Sequence, residues 1–236
     1  MIDTVSFVPF AEKPGRPRRP PLDRQQVVAA ALSLLDEVGL DELTMRRLAS
    51  RLGVKAASLY KHVRDKEELL VLLADEVSGS IAMARGGGGL VPQVSEMARN
   101  YRRGLLAHRD AARLLAATAP LGPRRLRHIE ALLRALRSAG LSARDSARAA
   151  YHLNNFVTEF VADEGRYAAA AAAMGSRTKL FAWARSHFAG LPRGDYPTLV
   201  ELADYLAEDD PEGLFEFGVQ MWLRSIARLA TRAGPR

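Results

Sequence analysis

The chain has 236 residues, 48% of them hydrophobic and 26% charged, with a net charge of +7. That is the balance of a globular protein with room for a small and a larger domain, and it favours an anionic partner, nucleic acid or an acidic membrane surface. With no cysteine, disulfides, thiolate metal sites and a cysteine nucleophile are excluded. The N-terminus lacks the basic start and apolar core of a signal peptide, and no apolar run reaches the length of a membrane span, so a cytoplasmic protein with no membrane partner is expected.

Residues 1–21 hold five prolines (Pro9, Pro14, Pro17, Pro20, Pro21) and a basic run from Lys13 to Arg19. Proline at that density propagates neither helix nor sheet, which makes the segment a flexible basic arm. Arg16, Arg18 and Arg19 would suit a narrow, strongly negative minor groove, and they would equally suit a solvated tail. Asp23 caps a first helix whose apolar positions Val28, Ala31, Leu32, Leu35 and Val38 recur at helical spacing, and Gly39 closes it as a left-handed residue. Thr44 caps the next helix, with Met45, Leu48 and Leu52 inward and Arg46, Arg47 and Arg51 outward. Gly53 turns the chain into a third helix, where Val54, Leu59 and Val63 face the core and Ser58, Tyr60, Lys61 and His62 face out. Two short helices joined at a glycine, the second polar on its exposed face, form a helix-turn-helix, the unit that seats its second helix in the major groove of duplex DNA. Asp65 and Glu68 have the spacing of a capping box and open a helix through Leu69, Leu70, Leu73 and Val77. Residues 22–68 are therefore expected to form a DNA-binding domain and 69–236 a second domain.

Gly86 to Gly89 end that fourth helix and form a joint. Beyond it the pattern predicts a helix over 94–113, another over 124–139 with Leu126, Ile129, Leu133 and Leu136 on one stripe, and a long one opened by Ser142 and carrying Tyr151, Leu153, Phe156, Phe160 and Val161. The segment from Gly165 to Gly175 is readable either as a helix end or as a connector. Further helices are predicted over 198–207 and 211–230, the last with Leu214, Phe217, Met221, Leu223 and Ile226. No period-two alternation survives anywhere, so the fold class is all-α.

The run from Leu22 to Leu70, LDRQQVVAAALSLLDEVGLDELTMRRLASRLGVKAASLYKHVRDKEELL, resembles the DNA-binding part of the tetracycline-repressor (TetR) family of transcription regulators. Gly39, Gly53, Leu59, Tyr60, His62, Val63 and Lys66 carry the likeness. LLAHRDAARLLAATAP, from Leu105 to Pro120, is similar to the start of the effector domain in the subgroup nearest the tetracycline repressor. The resemblance implies a homodimer held by a four-helix bundle, here from Ala143–Glu164 and Pro211–Ala230 of each subunit. It also implies that a small molecule entering the larger domain releases a palindromic double-stranded operator. Tyr60 and His62 match family positions that touch phosphate, and Lys66 one that fixes the backbone. The chain departs from the tetracycline repressor where drug and magnesium bind. Leu115 stands at the metal-ligand histidine, and Ala82 and Met97 stand at polar drug contacts, whereas Tyr101 and the acidic Asp163 are kept. Leucine cannot donate to a metal, so the resemblance implies a hydrophobic or aromatic effector other than magnesium-tetracycline.

The expected DNA contacts are Arg46, Lys55, Ala56, Ala57, Ser58, Tyr60, Lys61, His62 and Lys66, with the arm's Arg16, Arg18 and Arg19. Cations fix the backbone, while Lys55, Lys61 and the two alanines are placed to read base edges and thymine methyls. The expected effector pocket comprises Tyr101, Leu105, Leu115, Thr118, Ile129, Leu133, Asn155, Phe156, Glu159 and Asp163. Glu159 and Asp163 could face the cavity together, or lie in solvent, or pair with Arg166. The five histidines (His62, His108, His128, His152, His187) show no metal-binding spacing, and no nucleophile elbow or phosphate loop is present, so neither cofactor, metal nor enzymatic activity is expected. The alternative is a helix-turn-helix regulator with no small-molecule effector.

Overall fold

The computed structural model describes residues 22–232, all helix and connecting loop among the described residues, in keeping with the all-α expectation. The basic arm 1–21, with Arg16, Arg18 and Arg19, lies outside the described residues. Helix α1 (Arg24–Val38) starts at a reciprocal cap. The Gln26 amide donates to Asp23 Oδ1 at 2.8 Å and the Asp23 amide to Gln26 Oε1 at 3.1 Å, satisfying two of the donors that a helix start leaves open. Gly39 ends the helix at φ 81° and ψ 173°, a glycine conformation, though not the left-handed helical one expected. A Cβ there would lie 2.8 Å from Asp110 Oδ2, so the smallest residue is required where the head meets the rest of the chain.

Helix α2 (Met45–Leu52) begins at Thr44, whose hydroxyl accepts the Arg47 amide at 3.2 Å, and ends at Gly53 in the left-handed region, φ 66° and ψ 33°. Helix α3 (Ala56–Leu59) is a single turn extended by turns through Val63. Helix α4 (Lys66–Ser80) is capped by Asp65, which accepts the Glu68 amide at 2.7 Å. The other half of the expected capping box is missing. Glu68 Oε2 instead accepts the Arg64 amide at 2.7 Å and its other oxygen meets Arg24, because two neighbouring guanidiniums draw the carboxylate away from its own N-cap.

The helix expected over 94–113 is two. Helix α5 (Leu90–Leu106) and helix α6 (Ala111–Ala116) are separated at Asp110, which sits at φ 57° and accepts the Leu40 amide at 2.8 Å. The apolar period runs across this break because both helices pack on one core. Helix α7 (Pro123–Ser138) follows, with Leu126 exposed rather than inward. Helix α8 (Ala143–Met174) passes through Gly165 and the alanine tract to Gly175, so that segment is helix and no connector. Helix α9 (Arg177–Ala189) has no counterpart in the sequence expectation, and the helix predicted over 198–207 is two short pieces, α10 (Pro197–Glu201) and α11 (Ala203–Leu206). Helix α12 (Pro211–Arg232) completes the fold.

One core crosses the expected boundary at 68/69, which falls in the first turn of α4. Val27, Leu35, Leu48, Leu59, Leu69, Leu73 and Val77 pack with Leu105, Leu114, Leu115 and Val161. A second core joins α5, α8 and α12 through Val94, Leu153, Val157, Phe215, Val219 and Leu223. Arg102 ties these three helices together: it donates to Glu164 at 2.8 and 2.9 Å and to Glu212, and its guanidinium lies 4.7 Å from the Phe215 ring centre. The two carboxylates hold that guanidinium more firmly protonated than a free arginine.

Candidate functional site

The surface made by α2, α3 and the start of α4 separates its cations into two kinds. Arg47 pairs with Glu42 at 2.7 Å, and Arg51 pairs with Glu37 at 2.6 Å while also donating to Ser33. Arg46, Lys55 and Lys61 are exposed and, among the described residues, have no ion pair. Their charge is therefore available to an external anion, whereas that of Arg47 and Arg51 is already used within the head. Leu59 and Val63 are buried and fix the rotation of α3, which leaves Ala56, Ala57, Tyr60 and Lys61 outward, with Ser58 and His62 half-buried at the edge and Lys66 exposed at the start of α4. The nine expected contacts of the head are thus all exposed or half-buried, on α2, the turn and α3, and the start of α4.

A cavity of about 770 Å³ lies between α5, α7 and α8, bordered also by α6 and by residues 82–84. Of the ten expected effector contacts, seven line it: Tyr101, Leu115, Thr118, Ile129, Leu133, Asn155 and Glu159. Three do not. Leu105 is buried in the core shared with the head, and Phe156 stacks on Phe215 with ring centres 5.8 Å apart. Asp163 is exposed and bound to Arg166 at 2.6 Å, because four residues on a helix are a rotation of some 40° and carry it past the cavity wall. Glu159 borders the cavity but also accepts from Arg166 at 2.7 Å, so of the readings open for this carboxylate pair, the pairing with Arg166 is the one observed.

The sequence reading missed one face of α7. Arg125, His128, Ile129, Leu132 and Leu133 line the cavity, a stripe rotated by one position from the one expected through Leu126. The signal was present in the i, i+3, i+4, i+7 spacing that starts at Arg125, but a cation at its head disguised it as a surface face. Arg125 is buried. Its Nη1 donates to the Thr118 carbonyl at 3.0 Å and hydroxyl at 3.1 Å, and its Nη2 to the Leu115 carbonyl at 2.9 Å. Burial lowers the pKa of this guanidinium and raises that of the Tyr101 phenol. The Tyr101 hydroxyl lies 3.4 Å from Thr158 Oγ1, and His128 Nε2 donates to the Ser78 carbonyl at 2.9 Å.

Between head and cavity the contacts are specific. The buried Asp75 of α4 accepts the amides of Arg124 and Arg125 at 2.8 and 2.9 Å, placing a carboxylate on the N-terminus of α7. Gly122 is needed for this approach, since a Cβ there would sit 2.2 Å from the Asp75 carboxyl. On the other side, His108 meets Asp36 at 3.0 Å, Arg109 donates to the Glu37 carbonyl at 2.8 Å, and Arg113 pairs with Asp41 at 2.8 Å. His108, which has no metal-binding spacing, is one of these bridges.

The residues that form the head and the residues around the cavity each match a described family. Residues 27–73 match the model of bacterial regulatory proteins of the tetR family, and residues 84–229 match the tetracyclin repressor-like C-terminal domain. The chain belongs to the tetR family. An HTH-type transcriptional regulator of Saccharopolyspora erythraea is 34% identical over 93% of this chain and 90% of its own length. The class A tetracycline repressor from transposon 1721 of Escherichia coli is 39% identical over 61% of this chain and 67% of the repressor. Among solved structures, apo ActR from Streptomyces coelicolor superposes with a TM-score of 0.82 at 34% identity, covering 92% of this chain and all of ActR; ActR has also been crystallised in complex with actinorhodin. Within this tetR-family chain, Ala82, Met97 and Leu115, the positions of departure from the tetracycline repressor, all border the cavity, as does the retained Tyr101. Among the described residues no helix is long and apolar enough to cross a membrane.

Proposed function

We propose that this tetR-family chain is a ligand-responsive repressor that binds a palindromic operator as a homodimer and releases it when a small molecule occupies the cavity. The observation that carries the reading is the direct bond from α4, which supports the recognition turn, to α7, which walls the cavity: Asp75 accepts both leading amides of α7. A ligand that shifts α7 must shift or break that cap, and α4 begins at Lys66, beside α3. Induction requires only that the ligand prefer the DNA-incompetent arrangement, and a hundredfold preference corresponds to about 2.7 kcal/mol of coupling.

Dimerisation is supported by α12. Its Phe215, Val219, Leu223 and Ile226 are buried, yet Leu214, Phe217 and Met221 form a second apolar stripe left exposed in a single chain, with Phe217 66% exposed. Tyr151 of α8 is exposed as well. A patch of that kind on one surface is what a two-fold interface buries. Two copies of the head would then meet half-sites about one helical turn apart. The cavity size and its apolar walls favour an aromatic or hydrophobic effector, and Leu115 disfavours magnesium-tetracycline. Fluorescence anisotropy of the full chain on the DNA upstream of its own coding sequence, at two salt concentrations, tests the reading. Sequence-selective binding that persists at the higher salt supports it, whereas weak binding indifferent to sequence overturns it at that locus.

A further inference from the structure

The cavity is apolar on most of its wall and cationic at one corner. Arg125 contributes five N–H donors, and three hydrogen bonds to Leu115 and Thr118 are formed. The remaining donors, Nε–H among them, have no acceptor among the described residues, and no carboxylate forms an ion pair with the guanidinium. Asp75 is an acidic group in its surroundings, but its Oδ1 is engaged by the amides of Arg124 and Arg125 at the start of α7. Glu159, the acidic residue among those lining the cavity, is turned to Arg166. Around Arg125 stand hydroxyl groups: Thr118, bonded to it directly, and Tyr101, close enough to couple with it electrostatically and itself near Thr158. A buried cation whose only hydrogen-bond partners are neutral oxygens bears a desolvation cost that an anion in the cavity would offset.

Taking the cavity as the effector site, the geometry points to an effector that is an apolar, drug-sized acid, its carboxylate or equivalent anionic oxygen seated on Arg125 with the Tyr101 hydroxyl beside it. The planar guanidinium fork offers its free donors to such a group, and the body of the molecule lies along Met97, Leu132 and Leu133. This reading rests on the proposed function above and names its ligand class.

Anthracene-2-carboxylate and anthracene-2-carboxamide are nearly the same shape and differ in charge, so their affinities for the full-length chain, measured by anisotropy of their own fluorescence, isolate the contribution of the anion. Nile red, neutral and apolar, reports independently whether the cavity accepts a guest. The acid should bind at least about tenfold tighter than the amide, the worth of one charge-assisted hydrogen bond. In Arg125→Met that preference should vanish while the amide and Nile red bind as before. Equal affinities, or an amide that binds better, overturn the inference. So does failure of both anthracenes while Nile red binds, which leaves the cavity as a site for another class. Failure of all three overturns the cavity as an effector site along with the inference. If Arg125→Met does not fold, the comparison of acid with amide on the unaltered chain still decides.

Discussion

In the head, α2 and α3 hide a few aliphatic side chains and turn lysine and arginine outward; in the larger domain, α5, α7 and α8 turn aliphatic side chains toward an empty volume and bury an arginine. Arg47 and Arg51 are neutralised by Glu42 and Glu37, which leaves Arg46, Lys55 and Lys61 for a partner of many negative charges. Arg125 is held by carbonyl and hydroxyl oxygens, which leaves its charge for a partner with one. In the proposed function the same side-chain chemistry serves two ligands because the counter-charge is distributed differently. Exposed cations draw a polyanion through long-range, salt-screened attraction, and a buried one selects a single group by geometry.

Substitutions in each region test this contrast. The largest effect should follow Phe217→Arg, which places a charge on the exposed stripe of α12. The chain should run as a monomer in light scattering, and the operator affinity should fall by about a hundredfold or more through lost bivalency. A monomer with full operator affinity would remove the dimer from the mechanism. Phe215→Ala, which empties the centre of the second core between Phe156 and Phe160, should cost about 3–5 kcal/mol in urea unfolding. The paired substitution of Lys55→Ala and Lys61→Ala should leave stability within about 0.5 kcal/mol. It should also weaken operator binding and lower the salt slope by about one for each phosphate that is no longer neutralised. If the slope stays unchanged, these lysines do not neutralise phosphates. Asp75→Asn keeps the shape of the α7 cap and removes its charge, which should cost about 1 kcal/mol and change how strongly a cavity ligand weakens operator binding.

The smallest effect concerns pH. Hydrogen bonds from Arg113 and Arg51 hold the carboxyls of Asp41 and Glu37 below their ordinary range. A carboxyl depressed in the folded state stabilises above its unfolded pKa, and that contribution is lost only as pH falls through the lower folded value. Both groups are exposed, so the effect is slight. The melting temperature lost on Asp41→Asn should therefore be slight and the same at about pH 7 and about pH 5.

The head was legible in the sequence because its signals are local. Asp23, Thr44, Gly53 and Asp65 each sit within a few residues of the backbone they cap or turn, and Leu48, Leu59 and Val63 lie at fixed spacings from them. The cavity was legible in part: the resemblance supplied Tyr101 and Leu115, and helical spacing supplied Ile129 and Leu133. Its wall is assembled from α5, α7 and α8, whose rotation about their own axes depends on packing partners far away in sequence. That is why the stripe on α7 was misplaced by one residue and why Phe156 and Asp163 were assigned to it. The split at Asp110 and the helix α9 were missed for related reasons. Asp110 adopts its positive φ while accepting the amide of Leu40, seventy residues away, and α9 buries only Leu180 and so leaves little apolar period to read.

In the proposed mechanism, cavity and operator compete through α4 and α7. The decisive experiment takes compounds that raise the melting temperature of the free chain and measures, by anisotropy, whether the same compounds dissociate the chain from its operator duplex. Every strong stabiliser acting in the cavity should weaken operator binding, in the order of its affinity. Stabilisers that bind in the cavity and leave the operator complex untouched would contradict the competition.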